Sequence, residues 1–245
     1  MKVRLVCMTC VSEANVIGEQ YKLEFNDQNL YTFMCKNGHK TQTFLQECRY
    51  LMLFDTALLA LEMGMPDLAI IRAYSAIESF EVFLIKLYCH HVKMNSDILK
   101  RITKDTHLSE RKRGAFFLTI HLINNEFEAL FPEIPNLPEL ANKRNKAAHS
   151  GVLYSHEEAK DYCQIVLSFL LKVTKWVDTN LKHETFAEFS SQVSDITPLS
   201  DQSLYIGTMT IPTICSRWDG DSEVLSVNEA LNILKRNGIF VADLH

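Results

Sequence analysis

Three cysteines and a histidine in the first forty residues place the strongest constraint on the fold of this chain. Cys7 and Cys10 form a Cys-x-x-Cys pair. Cys35 and His39 stand four positions apart on either side of Gly38, which permits a tight turn. Thiolates and imidazoles at such spacings are the usual ligands of tetrahedral Zn²⁺ sites. The pattern therefore predicts a metal site whose ligands are Cys7, Cys10, Cys35 and His39.

Two short segments between these ligand pairs alternate apolar and polar side chains, as strands do. They are Tyr21–Phe25 and Leu30–Met34, and the turn-forming residues 26–29 between them predict a β-hairpin. Ligand pairs that frame short strands resemble a zinc ribbon, in which the metal stabilises a module too small to form a sufficient core. Since four protein ligands leave no open coordination position, we expect structural Zn²⁺ and no catalytic metal.

Two other interpretations of this segment stay open at the level of sequence. The cysteines could be free thiols in a reducing compartment, with His39 an ordinary turn residue. Alternatively, Cys48 could replace His39 as the fourth ligand, although the Gly38–His39 pair suits a tight turn around a metal better.

Most of the remaining chain has apolar residues at three- and four-residue steps, the period of an amphipathic helix. A long predicted helix from Asp67 to about Cys89 has a broad apolar surface and should lie at the centre of the core. Caps, glycines and prolines predict the other helices, which cover residues 47–64, 95–104, 115–131, 138–150 and 155–181. Residues 109–114 are predicted to form a charged turn. These features predict a mainly α protein with a helical bundle.

The composition changes after Thr185, where serine, threonine and aspartate become frequent. Residues 204–214 are predicted to be extended, and residues 226–236 to form a short amphipathic helix capped by Ser226. The sequence thus predicts three parts, a zinc-ribbon-like module over 1–46, a helical bundle over 47–184 and a small α+β extension over 185–245.

The overall charge excludes one class of nucleic-acid-binding protein. With a net charge of −5, the chain is not a generally basic coat protein, so contacts with RNA or DNA must come from local basic patches. Its start lacks the features of a signal peptide, and no run reaches the roughly eighteen apolar residues that a membrane span needs. We therefore expect a cytoplasmic protein without membrane contact.

A short basic segment before the last long helix carries the residues best suited to phosphate chemistry. It contains Arg144, Asn145 and His149 and ends at Ser150-Gly151, which is typical of a helix stop. Arginine forks onto phosphate oxygens, and histidine takes and gives protons near neutral pH. Side chains five positions apart on a straight helix point about 140° apart. Either the helix unwinds at His149 or a second chain completes the site. A basic last turn also complements the helix dipole, which is the simpler interpretation.

These elements resemble the HEPN family, whose up-and-down bundle carries an arginine, a polar residue and then a histidine four to six positions after the arginine. Arg144, Asn145 and His149 fit that motif, and Ala73–Glu78 is similar to the family's early core helix with its acidic residue. The resemblance covers residues 49–181 and implies a metal-independent endoribonuclease that acts as a homodimer. The biological setting would be a toxin, antiviral defence or RNA processing.

The resemblance also implies roles for individual residues. His149 would act as general acid/base at the RNA 2′-OH or the leaving 5′-oxygen, and Arg144 would bind the scissile phosphate. The expected products are a 2′,3′-cyclic phosphate and a 5′-hydroxyl. Asn145 would orient one of the reacting groups. Glu78 would either position Arg144 through a carboxylate pair or only anchor two core helices.

Basic residues near the motif and in the charged turn are the candidates for RNA contacts. They are Lys143, Lys146, Arg111, Lys112 and Arg113. The expected partners are RNA, a second copy of the chain and a protein antitoxin or regulator. The alternative to catalysis is a non-catalytic module of the same family that binds a nucleotide or RNA as a sensor or adaptor.

Overall fold

The structure, a computed structural model, shows a mainly helical protein with a small β region at its N-terminus. It describes all residues except 1, 15–18, 106–108, 125–126, 202, 205, 212, 218–224 and 238–245. The chain divides into two compact units. The N-terminal unit comprises Met1–Glu47, Phe189–Pro212 and Leu234–His245, and the helical unit comprises Cys48–Glu188 and Thr213–Ile233. Residues 189–212 and 234–245 thus belong to the same unit as the N-terminal segment, and residues 213–233 to the helical unit.

Two small sheets form the N-terminal unit. Strand β1 (Lys2–Val6) is followed by helix α1 (Met8–Ala14) and pairs antiparallel with β2 (Gln20–Glu24). In the second sheet, β3 (Leu30–Met34) pairs antiparallel with β4 (Lys40–Leu45), and β5 (Ile206–Met209) pairs parallel with β4. Residues 206–209 lie within the segment that was expected to be extended.

The predicted hairpin between residues 21–25 and 30–34 is wrong, although both segments are largely strands. The Asn26 side chain closes the turn between them, because it accepts from the backbone N of Gln28 at 3.1 Å and donates to the carbonyl of Leu30 at 3.1 Å. The chain then begins a new hairpin with β4, which is buried at every position but its first. A strand buried on both faces suits the centre of a sheet, so β3 pairs with it and not with β2.

The helical unit is built around one long central helix. Helix α2 (Arg49–Glu62) is joined by a short turn to α3 (Pro66–His91), which contacts α2 and four later helices. Phe80 of α3 is fully buried, and its ring meets the rings of Tyr50, Phe116 and Phe169 with centroids 5.3, 6.3 and 5.6 Å away. The prediction that this helix lies at the centre of the core is confirmed.

The later helices follow in chain order and largely match the predicted periods. They are α4 (Ser96–Asp105), α5 (Ser109–Ile123), α6 (Phe127–Leu130), α7 (Leu137–His149), α8 (His156–Asn180), α9 (Lys182–Ile196), α10 (Ile214–Arg217) and α11 (Val227–Asn237). A capping box starts α8, in which the backbone N of Glu158 donates to the Ser155 hydroxyl at 3.2 Å. The same arrangement links Ser226 and Glu229 at the start of α11, where Ser226 was the expected cap.

Three predictions about these helices are wrong. Residues 109–114 are not a charged turn but the first part of α5, and the predicted helix over 115–131 is divided between α5 and α6. A run without proline continues as a helix here despite Gly114, because one glycine costs a helix only about 1 kcal/mol and two of the charged side chains, Lys112 and Arg113, have carboxylate partners on α3. Helix α9 occupies a segment whose polar composition had indicated a change away from helix. None of the helices in the described parts of the chain has an apolar stretch of the length that crossing a membrane requires.

Candidate functional site

The structure brings the four predicted metal ligands together. The ligand atoms of Cys7, Cys10, Cys35 and His39 all lie within 4.8 Å of one another. Cys10 Sγ is 3.6 Å from Cys35 Sγ and 3.3 Å from His39 Nδ1. A tetrahedral ion with bonds of about 2.3 Å to sulfur and about 2.0 Å to nitrogen holds its ligand atoms at comparable separations. This group can bind a metal ion, and its chemistry is compatible with structural zinc.

The two ligand pairs are positioned by different kinds of local structure. Cys7 follows β1 directly, and Cys10 lies in the first turn of α1. Cys35 and His39 lie in the turn between β3 and β4, where the backbone N of Cys35 donates to the carbonyl of His39 at 3.0 Å. Gly38 has φ +81 in this turn, a conformation that side chains with a Cβ rarely adopt. The first pair therefore sits at a helix start, and the second forms a tight β turn.

The local environment prepares Cys35 for metal binding. Burial acts to raise the pKa of its thiol, but the backbone N–H groups of His39 and Asn37, together with the thiols of Cys10 and Cys7, hold that pKa at about 7. The thiolate is the form that binds metals, and N–H groups that point at sulfur stabilise its charge. Cys35 is thus set to lose its proton near neutral pH.

Two neighbouring side chains orient the other ligands. The carboxylate of Glu13 in α1 lies 3.4 Å from His39 Nε2, on the side of the ring opposite to the nitrogen that faces Cys10. Asn37 Nδ2 donates to Cys10 Sγ at 3.3 Å. A carboxylate behind a metal-binding histidine fixes its tautomer and ring orientation. Cys48, the alternative ligand, precedes α2 as its N-cap residue and is not part of the group.

A second polar cluster, which we call the arginine cluster, surrounds one face of α3. It consists of Tyr74, Glu78, Glu81, Lys112, Arg113 and Arg144. Arg144 of α7 donates from Nη2 to Glu78 Oε1 at 2.8 Å, and its guanidinium carbon lies 4.7 Å from the centroid of the Tyr74 ring. The predicted pair of Arg144 and Glu78 is therefore present, with 18% of each side chain exposed.

The α5 side of the arginine cluster uses a second arginine. Arg113 donates from Nε to Glu81 Oε1 and from Nη2 to the Tyr74 hydroxyl, each at 2.5 Å. Its guanidinium carbon is 5.8 Å from the centroid of the same tyrosine ring. Lys112 Nζ lies 4.0 Å from Glu78 Oε2. Two guanidinium groups thus share one tyrosine ring, and three cations face two carboxylates.

Burial perturbs the acid–base properties of this cluster. Only 1% of Glu81 is exposed, and its Oε2 has no hydrogen-bond partner among the described residues. Burial raises the pKa of Glu81 to about 7, although Arg113 acts in the opposite direction. Burial likewise raises the pKa of Tyr74, against the effect of Arg113. A buried carboxylate oxygen without a hydrogen-bond partner lowers the stability of the folded state. Buried groups with perturbed pKa values are frequent at functional sites.

The other residues of the predicted motif face solvent. Asn145, Lys146 and His149 are exposed, and α7 remains helical as far as His149. The backbone N of Ser150 donates to the carbonyl of Lys146 at 3.1 Å and closes the last turn. The helix does not unwind at His149, so Arg144 points inward while His149 lies at the exposed end of the same helix.

The predicted RNA-binding residues separate into two groups. Lys143, Lys146 and Arg111 are exposed, and Lys143 lies 3.5 Å from Glu139 one turn away. Lys112 and Arg113 instead belong to the arginine cluster, because residues 109–114 are helical and turn these two side chains toward α3.

Tyr74 and Glu81 are parts of this site that the sequence interpretation missed. Tyr74 was covered only by the broad apolar surface predicted for the helix from Asp67 to about Cys89. The available signal was spacing, since Tyr74, Glu78 and Glu81 stand at i, i+4 and i+7 and so line one face of the predicted helix. Two acids on the core face of a helix require cationic partners from neighbouring helices.

Comparison with known proteins gives no relative on which to base a function. No protein-family model, no curated protein and no solved structure matches the chain.

Proposed function

We propose that the helical unit is a HEPN-like bundle and that the chain is a metal-independent endoribonuclease active as a homodimer. The observation that carries this proposal is that α7 has one fixed arginine and one exposed histidine. Its Arg144 is fixed by Glu78 and the Tyr74 ring, while the same helix ends in the exposed His149. A fixed guanidinium that offsets charge on a phosphate and an accessible imidazole that transfers protons can together support metal-free RNA cleavage.

The proposed reaction uses the RNA as its own nucleophile. The 2′-oxygen attacks the adjacent phosphorus and the bond from phosphorus to the 5′-oxygen breaks. A neutral His149 takes the 2′-OH proton, and a protonated copy gives one to the leaving 5′-oxygen. Arg144 offsets the charge that develops on the phosphoryl oxygens. Its contact with Glu78 uses Nη2, and a guanidinium has further N–H donors on Nε and Nη1.

A second copy of the chain is proposed because of the helix geometry. Since α7 is regular to its last residue, side chains at Arg144 and His149 diverge by about 140° within one chain. Two α7 helices that face each other would bring both copies of Arg144 and His149 to one cleft, so that one His149 can accept a proton while the other donates one. Lys143, Lys146 and Arg111 are exposed and are proposed to contact the RNA backbone.

The metal in this proposal has a structural role only. Zn²⁺ bound by Cys7, Cys10, Cys35 and His39 would have its coordination filled by protein ligands and would supply rigidity to the N-terminal unit. RNA cleavage should therefore proceed with no added divalent ion.

The test compares His149→Ala and Arg144→Ala with the wild-type protein on single-stranded RNA, in chelator too weak to remove the bound metal. Both variants should lose at least about 100-fold in cleavage rate, as is usual when a general acid/base is removed. His156→Ala, at an exposed histidine that begins α8, is the matched control and should keep full activity. Circular dichroism verifies that the variants are folded. Undiminished cleavage in both site variants would refute the assignment.

One observation favours a second candidate, a non-catalytic module that binds RNA or a nucleotide. Arg144 is already paired in the structure, and 18% of its side chain is exposed, as expected of an anchor between helices. Such a module would be stabilised thermally by a nucleotide without cleaving RNA. The two candidates differ in the RNA ends, because only the nuclease leaves 2′,3′-cyclic phosphates.

A further inference from the structure

We infer that Tyr74 is a positioning residue whose ring sets the orientation of the Arg144 guanidinium, and that Arg113 fixes this ring. The inference rests on the proposed function for its catalytic consequence, since it assigns Arg144 to a phosphate. Its structural part concerns only the arginine cluster and has a readout of its own.

Two neighbouring groups fix the Arg144 guanidinium. A single hydrogen bond to Glu78 leaves the guanidinium free to rotate about that contact. The Tyr74 ring removes this freedom, because the guanidinium carbon lies 4.7 Å from its centroid, within the distance at which a cation is attracted to an aromatic face. Together, a carboxylate at 2.8 Å and an aromatic ring define both the position and the plane of the guanidinium.

The Tyr74 ring is itself held in place, by burial and by Arg113. Only 2% of Tyr74 is exposed, and its hydroxyl accepts from Arg113 Nη2. Arg113 is in turn bound through Nε to Glu81, which is buried on the same helix as Tyr74. The phenol therefore connects α5 to α7 through α3, and an ordinary apolar residue at position 74 could not provide the connection to Arg113.

The arginine cluster has more positive than negative groups. Lys112, Arg113 and Arg144 bring three positive charges to Glu78 and Glu81, so the carboxylates do not cancel the cations. The raised pKa of Glu81 lowers the negative charge further near neutral pH. An excess of positive charge beside an oriented guanidinium attracts phosphate. Both guanidinium carbons lie near the Tyr74 ring, at 5.8 and 4.7 Å from its centroid, and the ring attracts each cation.

The test is a pair of substitutions at one position. Tyr74→Phe keeps the ring and removes the hydroxyl, whereas Tyr74→Leu removes the ring. We expect the leucine variant to lose about 10- to 100-fold in kcat with KM changed by less than about twofold, because a misplaced catalytic group mainly affects the transition state. The phenylalanine variant keeps the ring but loses the hydrogen bond from Arg113 that holds it, so it should lose a smaller factor, about threefold in kcat. Equal kcat in both variants, whether reduced or unchanged, would overturn the inference, as would a loss that appears only in KM.

A second measurement needs no ribonuclease activity and separates this inference from the proposed function. In ¹⁵N-resolved NMR spectra, the Nε–Hε signal of Arg144, assigned through Arg144→Lys, should be shifted upfield by the tyrosine ring. The shift should persist in Tyr74→Phe and disappear in Tyr74→Leu. An unshifted signal in the wild-type protein overturns the inference even if the leucine variant does not fold. A protein that shows the shift but cleaves no RNA would refute the nuclease and leave the positioning of Arg144 supported.

Discussion

The N-terminal unit and the helical unit hold their chains together by different interactions. In the N-terminal unit the buried apolar side chains are few and mostly small or medium in size, with Phe44, Leu5 and Leu45 the largest that are fully buried. The four metal ligands draw together its first helix and the turn between β3 and β4. In the helical unit, rings from three other helices contact the Phe80 ring. A small unit depends on ligand bonds, and a larger one depends on the area of apolar surface that it buries.

The metal ligands of the N-terminal unit and the arginine cluster of the helical unit bury their polar groups differently, although both units contain buried side-chain atoms without a hydrogen-bond partner among the described residues. The N-terminal unit brings thiols and an imidazole together, and a bound metal would offset the free-energy cost of burying them. The helical unit buries Glu81 next to Arg113 and leaves one carboxylate oxygen without a partner among the described residues. Metal binding can satisfy every ligand at once, whereas a network of charged side chains satisfies its members only in part. The first arrangement favours stability and the second is compatible with a functional role.

Removal of the metal should have the largest effect, and this effect should be confined to the N-terminal unit. Cys35→Ser should abolish tight metal binding and unfold the N-terminal unit, because a structural zinc contributes about 10–16 kcal/mol in zinc-finger peptides. The helical unit should keep its fold. Hydrogen exchange read by mass spectrometry checks this, since amides of β3 and β4 should exchange rapidly while those of α3 stay protected. Protected β3 and β4 amides in a metal-free variant would contradict the expected dependence on the metal.

Cys48→Ser is the matched control for that substitution. Cys48 lies at the start of α2 and outside the ligand group, so this variant should still bind one metal ion per chain. Substitution of Co²⁺ for Zn²⁺ gives a colour that reports the ligand set directly. A loss of metal from Cys48→Ser would show that the fourth ligand had been assigned to the wrong residue.

The next largest effect should come from the aromatic core of the helical unit. Phe80→Ala should lower the free energy of unfolding by about 3–5 kcal/mol, the usual cost of a large buried cavity, and leave the metal content unchanged. Urea unfolding followed by the helical signal measures it. Phe186→Ala, at a ring that is 72% exposed, should change stability by less than about 0.5 kcal/mol. Equal effects at the two positions would mean that the ring cluster around Phe80 does not hold this unit.

Some features of both units could be predicted from the sequence because short segments of the chain specify them. The helices around Phe80 were predictable because the period of their apolar residues is local information, and the cap at Ser155 is local as well. The metal ligands were predictable because their types and spacings are distinctive. In both cases residues close in sequence determine the result.

Contacts between distant segments were not predictable in the same way. The strand that completes the second sheet, β5, lies about 160 positions after its partner β4, and no local pattern specifies that pairing. The hairpin expected between residues 21–25 and 30–34 failed for the same reason, because a better partner for β3 follows it. In the arginine cluster, Glu78 was linked to Arg144 by family resemblance. Glu81 and Tyr74 became visible only when α5 placed Arg113 beside them.

The smallest predicted effect is on the pH dependence of the stability of the helical unit, and it arises from the buried acid Glu81. Glu81 has its pKa raised from 4.5 to about 7, by burial first, against the opposing effect of Arg113. The folded state therefore binds this proton more tightly than the unfolded state does. The stability that the neutral acid provides is fully present below about pH 4.5 and is lost as the pH rises toward 7. Glu78 acts in the same direction and Lys112 against it.

Glu81→Gln should remove that pH dependence, because an amide stays neutral at every pH. Between pH 5 and pH 8 the wild-type protein should lose about 2 kcal/mol of stability relative to the variant, given about 1.4 kcal/mol for each unit of pKa difference. Urea unfolding at several pH values measures the two slopes. Glu110→Gln, which removes an exposed carboxylate at the start of α5, is the control and should keep the wild-type slope. Parallel slopes for wild type and Glu81→Gln would show that Arg113 keeps Glu81 ionised throughout. The arginine cluster would then be a fully charged network, and its buried acid would no longer distinguish the helical unit from the metal-bound one.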